Sequence, residues 1–153
     1  MHMVSLRTAS ELTGLSKRTL WRRIAAGRLF KLNRDEPLAR TSVALEAIAA
    51  DIGLPLGDEE LALIQRADGG DAEAQSDVAL LLMEAGLASK ALFWLRSAAD
   101  QGYADAMHWL GRCYVSGEGV DHVEAQGLAW ISRAAAAGHS IAGAQMQRLS
   151  QRR

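Results

Sequence analysis

The spacing of leucine and isoleucine near the start of the chain predicts two short helices that pack against each other. The apolar positions expected at their contact are Leu12, Leu15, Leu20 and Ile24. Gly14 and Gly27 follow the two helices and can supply the left-handed conformation in which helices commonly end. Two short helices joined by a tight glycine turn form a helix-turn-helix unit.

Polar residues before each helix predict where it begins. Thr8 and Glu11 have the spacing of a capping box, so we expect Thr8 to cap a first helix that extends to Thr13. Ser16 is predicted to cap a second helix over residues 17–26.

Residues 28–40 alternate apolar and basic positions around an Asn-Arg-Asp-Glu-Pro cluster that is typical of a turn. This pattern predicts a small β-hairpin, or wing. Thr41 or Ser42 is then predicted to cap a third helix that stops near Gly53. Its inward-facing residues are expected to be Leu45, Ile48 and Ala49.

The rest of the chain repeats itself. Gly70, Gly102 and Gly138 are separated by 32 and then 36 residues, and each stands four residues before an alanine. A period of this length is typical of helix-pair repeats. Trp94 and Trp130 each precede an Ala-Ala pair and one of these glycines, so we expect them to fill equivalent gaps between helices.

Together these elements predict a mainly α protein with two domains. Residues 1–52 are expected to form a small winged helix-turn-helix, and residues 53–153 a short α-solenoid of helix-pair repeats. Within the solenoid, residues 59–68 are predicted to be half of an earlier repeat and residues 140–150 a capping helix. About two repeats are few, because about three are normally needed to bury a continuous core, so the third helix or a partner chain is expected to cover one end.

Charge divides the chain near residue 40. Residues 1–40 carry nine Lys or Arg against three Asp or Glu, a net of +6, whereas the remaining 113 residues carry eight against fifteen, a net of −7. Crowded positive charge attracts a polyanion, and an acidic segment cannot lie flat on one. The division therefore favours nucleic acid as a partner of the first domain, unless the segregation arose by chance.

The second predicted helix carries its basic residues on one face. At 100° per residue, Lys17, Arg18, Trp21 and Arg22 occupy an arc of about 140°. Arginine can bind guanine with two hydrogen bonds, and both lysine and arginine neutralise phosphates. The candidate DNA-binding residues are Lys17, Arg18, Thr19, Trp21, Arg22, Arg23, Arg28, Lys31 and Arg34. The alternative is an amphipathic helix with solvated charges.

Residues 8–24, which read Thr-Ala-Ser-Glu-Leu-Thr-Gly-Leu-Ser-Lys-Arg-Thr-Leu-Trp-Arg-Arg-Ile, and residues 27–29, Gly-Arg-Leu, resemble the winged helix-turn-helix of the MerR and excisionase-like DNA-binding superfamily. The resemblance implies that the helix beginning at Ser16 enters the major groove, while the hairpin near Arg34 reaches an adjacent backbone. The long coiled coil and effector site of MerR proteins are not visible in the sequence, so effector sensing is not implied.

Residues 104–114 (Ala-Asp-Ala-Met-His-Trp-Leu-Gly-Arg-Cys-Tyr), the loop 117–120 and the two Trp-containing stretches resemble Sel-like repeats, which are related to tetratricopeptide repeats. The resemblance implies a protein-interaction scaffold whose inner face is lined by the first helix of each pair. The candidate partner-binding residues on that face are Asp77, Leu81, His108, Trp109 and Arg112. Trp109 is expected either to anchor a partner or to lie beneath the neighbouring repeat.

Other chemistry has little support in the sequence. A single cysteine, Cys113, excludes an internal disulfide and fits a reducing compartment. His108 and Cys113 lie five apart on one predicted helix and point apart, and no CxxC or HxxxH spacing exists. We therefore expect no metal, no cofactor, no small-molecule substrate and no enzymatic activity. With no apolar run near ~20 residues and no secretion signal, we expect a cytoplasmic protein with no membrane partner.

The leading hypothesis is a DNA-binding transcriptional regulator that places its basic second helix in the major groove and uses the repeats for a protein partner or a homodimer. The alternative is a protein–protein adaptor whose helix-turn-helix serves only as a packing module and does not bind nucleic acid. Salt-dependent binding to double-stranded DNA would separate the two.

Overall fold

The computed structural model describes residues 1–27 and 41–151. Within these ranges the element order is β1 (Met3–Ser5), α1 (Leu6–Thr13), α2 (Lys17–Ala25), β2 (Ser42–Ala44), α3 (Leu45–Ile52), α4 (Asp58–Asp68), α5 (Ala72–Glu84), α6 (Ala88–Asp100), α7 (Ala104–Ser116), α8 (Glu124–Ala136) and α9 (Ser140–Gln151). The prediction of a mainly α fold with helix-pair repeats is confirmed. The chain divides into two compact units, residues 1–70 and 71–153.

The turn between α1 and α2 forms as its residues predict. Gly14 adopts a left-handed conformation with φ 76°, and its N–H donates to the carbonyl of Ser10 at 2.9 Å. Ser16 is the N-cap of α2, and its Oγ accepts the backbone N–H of Thr19 at 3.1 Å. These contacts are local, so the residue types at the turn were sufficient to predict them.

The predicted start of α1 is wrong. Ser5 rather than Thr8 is the N-cap, and the Ser5 Oγ accepts the N–H of Thr8 at 3.2 Å. Thr8 is buried, and its hydroxyl donates to Oδ1 of Asp68. Because Asp68 lies 60 residues further along the chain, the sequence around Thr8 held no sign of this bond.

A two-stranded antiparallel sheet pairs β1 with β2, in the register Met3↔Ala44, Val4↔Val43 and Ser5↔Ser42. The sequence did not predict it, since three-residue strands are too short to show an alternating pattern. Ser42 lies in β2, so the predicted cap of α3 at Thr41 or Ser42 is wrong. The N-cap is Ala44, which makes no side-chain cap bond.

The core of the first unit lies between the sheet and the first three helices. Its fully buried side chains are Val4, Leu12, Leu20, Val43, Leu45, Ile48 and Ile52. Leu15, Ile24 and Ala49, which were also predicted to face inward, are half-buried. The end of α3 at Gly53, with φ 84°, is as predicted.

Helix α4 packs into the first unit, although the sequence placed it in the second domain as half of a repeat. Its buried residues are Leu61, Ile64 and Ala67, and it packs against β1. Asp68, at its last turn, accepts hydrogen bonds from the backbone N–H and the hydroxyl of Ser5. The units consequently divide between residues 70 and 71, whereas the sequence predicted a boundary between residues 52 and 53.

The second unit consists of the pairs α5–α6 and α7–α8, followed by α9. Each of the four paired helices has 13 residues. Small side chains lie at the contacts, and Ala74, Ala98, Ala106, Ala134 and Ala142 are fully buried. Alanine at these recurrent positions lets the helices approach closely, as the periodic sequence predicted.

Candidate functional site

Four exposed residues of α2, namely Lys17, Arg18, Trp21 and Arg22, form what we call the basic face. The Trp21 side chain is 42% exposed. On the other side of the helix Leu20 is fully buried in the first unit. The predicted separation of an apolar back from a basic front is thus present in the structure.

Thr19 lies beside the basic face, where it links two other side chains. Its Oγ1 accepts the Ser16 hydroxyl at 3.0 Å and Nη2 of Arg22 at 3.3 Å. The three residues stand three apart along the chain, so they lie on neighbouring positions of one helical face. This chain of bonds orients the Arg22 guanidinium along the helix.

Arg23 points away from the basic face. Its Nη1 donates to Oδ2 of Asp51 at 2.7 Å and its Nη2 to Oδ1 at 3.3 Å, which connects α2 with α3. The hydrogen bond to Asp51 raises the pKa of Arg23. The sequence named Arg23 as a DNA contact because it could not show an acid 28 residues away that already pairs with it.

Three other candidate DNA contacts, Arg28, Lys31 and Arg34, lie outside the described residues, as does the predicted wing. The candidate site that the structure describes is therefore the basic face with Thr19.

The candidate partner-binding residues are not all exposed. Asp77 and Arg112 are exposed, Leu81 and Trp109 are half-buried, and His108 is only 3% exposed. The predicted exposure of His108 is wrong because its ring stacks on His139, with ring centroids 4.5 Å apart and planes at 21°. His108 Nε2 also lies 3.1 Å from Oε1 of Gln145.

Trp109 is half-buried, so it is neither fully exposed to a partner nor fully covered by the neighbouring repeat. The Arg112 guanidinium lies over its ring at 4.8 Å from the centroid, and His108 meets it edge-on at 6.2 Å. Arginine above an indole ring is a favourable cation–π pair. The remaining exposed part of Trp109 is available for contact with another molecule.

Trp94 and Trp130 differ in burial, contrary to the expectation of equivalent gaps. Trp94 is 1% exposed, and Phe93 meets its ring edge-on at 5.0 Å. Trp130 is half-buried, and the guanidinium of Arg133 lies over it at 4.8 Å. Trp130 also lines an open groove of about 510 Å³ with Met107. The sequence period predicted the same position in the repeat for both tryptophans. It could not show that Trp94 is buried whereas Trp130 is only half-buried.

The described residues supply little for covalent or metal chemistry. No group of three or more His, Cys, Asp or Glu among residues 1–27 and 41–151 is placed to hold a metal ion. Burial raises the pKa of the Cys113 thiol to about 11, which keeps it protonated at neutral pH. No helix in the described part of the chain is long and apolar enough to span a membrane.

Comparison with known families finds a repeat in the second unit. Residues 72–103 and 104–139 match the Sel1 repeat. These ranges contain α5–α6 and α7–α8 respectively, and both lie in the second unit. No curated protein matches the chain significantly. The second unit thus contains two Sel1 repeats, helix pairs of a kind that supports protein–protein interaction.

Proposed function

We propose that this protein is a DNA-binding transcriptional regulator that places α2 in the major groove. The observation that carries the proposal is the basic face, which is exposed on a helix whose opposite side is buried in the first unit. The major groove of B-DNA admits an α-helix, and helix-turn-helix proteins present the N-terminal residues of their second helix to base edges. Lys17 and Arg18 stand at the N-terminal end of α2.

The charge of the first 40 residues supports the same proposal. Their net charge of +6 would draw them to a polyanion. Arg18 and Arg22 are long enough to reach base edges or phosphates, and Lys17 can neutralise a phosphate. Arg23 is not included, because Asp51 already binds both of its terminal nitrogens.

We assign the two Sel1 repeats to binding a protein partner or a second copy of the chain. One small DNA-binding unit makes few base contacts, and sequence-independent binding alone has a dissociation constant of only ~10⁻⁴–10⁻⁶ M. Two such units on half-sites one helical turn apart would supply the missing specificity. Asp77, Leu81, Trp109 and Arg112 are the residues proposed to contact the partner, with Trp109 as the anchor.

The second candidate function is a protein–protein adaptor whose first unit does not bind nucleic acid. The Sel1 match favours it, because Sel1 repeats suggest protein partners and the matched residues, 72–139, do not include the basic face. If the protein is such an adaptor, the basic face of α2 is a solvated surface with no ligand.

The test is the binding of the full chain to a labelled mixed-sequence DNA duplex at several salt concentrations. We expect affinity to fall as salt rises, and Arg18→Ala/Arg22→Ala to weaken binding and to flatten the slope by about 0.9 for each phosphate that the variant no longer neutralises. The matched control, Arg133→Ala/Arg148→Ala, removes the same charge from the second unit. Equal binding by the parent and by Arg18→Ala/Arg22→Ala at moderate salt would refute the proposal and favour the adaptor.

A further inference from the structure

We propose that Arg22 reads a guanine base and that Thr19 is the residue that positions it for this contact. The inference rests on the proposed DNA-binding function and goes beyond it, since it assigns sequence preference to one arginine and one threonine of α2. The remaining basic residues of the basic face are assigned to the phosphate backbone.

The hydrogen bonds of Ser16, Thr19 and Arg22 form an ordered series. Ser16 Oγ accepts the Thr19 N–H at 3.1 Å, which fixes the serine hydroxyl at the helix start. That hydroxyl donates to Thr19 Oγ1 at 3.0 Å, and Thr19 Oγ1 also accepts Nη2 of Arg22 at 3.3 Å. A helical threonine has two favoured χ1 rotamers, and the bonds to Ser16 and Arg22 hold Thr19 Oγ1 in one of them.

The bond to Thr19 leaves Arg22 with enough donors for a base. A guanidinium has five N–H donors in a fixed fork, and Thr19 takes one of them. A bidentate contact with O6 and N7 of guanine needs two more. Arginine normally loses much rotamer freedom on binding, and a side chain that is already ordered loses less. Thr19 therefore prepares the guanidinium for a directional contact.

The other basic residues of α2 are either not held in one direction or held away from the basic face. Within residues 1–27 and 41–151, neither Lys17 nor Arg18 makes a hydrogen bond or ion pair that would fix its direction. Arg23 is held, but by Asp51 and away from the basic face. A phosphate can be neutralised by a mobile charge, whereas bidentate reading of a base needs a fixed one. Of these four cations, Arg22 alone is both exposed and oriented.

The test selects bound sequences from a pool of duplexes with a randomised core, using the full chain. Thr19→Val keeps the shape and charge of the side chain but removes Oγ1, and Thr19→Ser is its matched control because it keeps the hydroxyl. Arg22→Lys keeps the charge but removes the fork. The helical signal by circular dichroism checks that each variant is folded.

We expect the parent and Thr19→Ser to select a guanine at one position of the half-site. Thr19→Val and Arg22→Lys should lose that preference by about tenfold, which is within the range that one bidentate contact supplies. Their affinity for mixed-sequence duplex at the same salt should fall by less than their affinity for the selected guanine site, because the net charge is unchanged. Arg18→Ala should weaken binding to all sequences alike and leave the guanine preference in place.

Two results would overturn the inference while leaving DNA binding intact. One is a parent that binds duplex in a salt-dependent way but selects no guanine. The other is a Thr19→Val or Arg22→Lys variant with an unchanged preference. A parent that shows no salt-dependent retention on any duplex would refute the proposed function, and this inference with it.

Discussion

Gly111 and Gly127 bring the backbones of α7 and α8 into direct contact. A Cβ built on either glycine would lie 2.7 Å from the carbonyl oxygen of the other. Both residues are buried, and neither has a positive φ, so the requirement for glycine comes from space rather than from backbone conformation. The packing of the second Sel1 repeat depends on this close approach.

Gly111→Ala should therefore destabilise the second unit. The added methyl group meets backbone and Ile131, neither of which can turn aside, and such overpacking costs about 1–3 kcal/mol. Urea denaturation of the variant measures the loss. The matched control is Gly143→Ala, because Gly143 is helical and nothing lies within 4 Å of its added Cβ. Alanine there should stabilise by about 0.5–1 kcal/mol. Equal effects of the two substitutions would contradict the packing argument.

His108 should make the second unit less stable in acid. Burial lowers the pKa of His108, and His139 and Arg112 lower it further, while Gln145 and Asp105 act in the opposite direction. At about pH 6.5 the unfolded chain therefore begins to bind a proton at His108, whereas the folded chain does not. Stability is complete above that pH and is lost as the pH falls through it.

The check is the urea midpoint measured at neutral and at mildly acidic pH. His108→Gln removes the titrating ring and should reduce the dependence on pH, even if it lowers stability at neutral pH. His122→Gln is the control, because His122 is exposed in the loop between α7 and α8. If the parent and His108→Gln lose stability equally between the two conditions, the acid sensitivity arises elsewhere.

Arg23 should contribute to the fold of the first unit and little to DNA binding. Its pair with Asp51 is bidentate but partly exposed, so solvent weakens it and the loss of stability on Arg23→Ala should be small. A double-mutant cycle with Asp51→Ala would measure the coupling of the two side chains. On DNA, Arg23→Ala should reduce affinity less than Arg22→Ala does. Equal losses would show that Arg23 exchanges Asp51 for a phosphate when DNA binds.

Most of the correct predictions from the sequence depend on contacts between residues that are close together along the chain. Ser16, Gly14 and the repeated glycines act on neighbours a few residues away, so their signals lie in short stretches of sequence. The residues whose surroundings the sequence did not predict have distant partners. The Thr8 hydroxyl donates to Asp68, Arg23 pairs with Asp51, and the His108 ring stacks on His139. No spacing rule connects such residues, because the fold alone brings them together.

The three tryptophans of the second unit should differ in their effect on stability. Trp94 is 1% exposed, and replacing a buried tryptophan with alanine costs about 3–5 kcal/mol, a large part of a typical ~5–15 kcal/mol. Trp94→Ala should therefore lower the melting temperature sharply or unfold residues 71–153. Trp130→Ala should cost less, because Trp130 is half-buried and borders an open groove. Circular dichroism melting of the two variants gives the comparison.

Trp109→Ala should leave the helical signal near that of the parent and weaken association instead. The ring is half-buried under Arg112, so truncation removes a cation–π pair and an exposed apolar surface rather than a core side chain. Analytical ultracentrifugation at tens of micromolar, beside the melting curves, measures whether the parent self-associates and whether the variant does so less. Arg112→Ala, which should expose more of the same ring, tests whether the indole is the contact. If Trp109→Ala melts like Trp94→Ala, Trp109 belongs to the core and the proposed anchor is wrong.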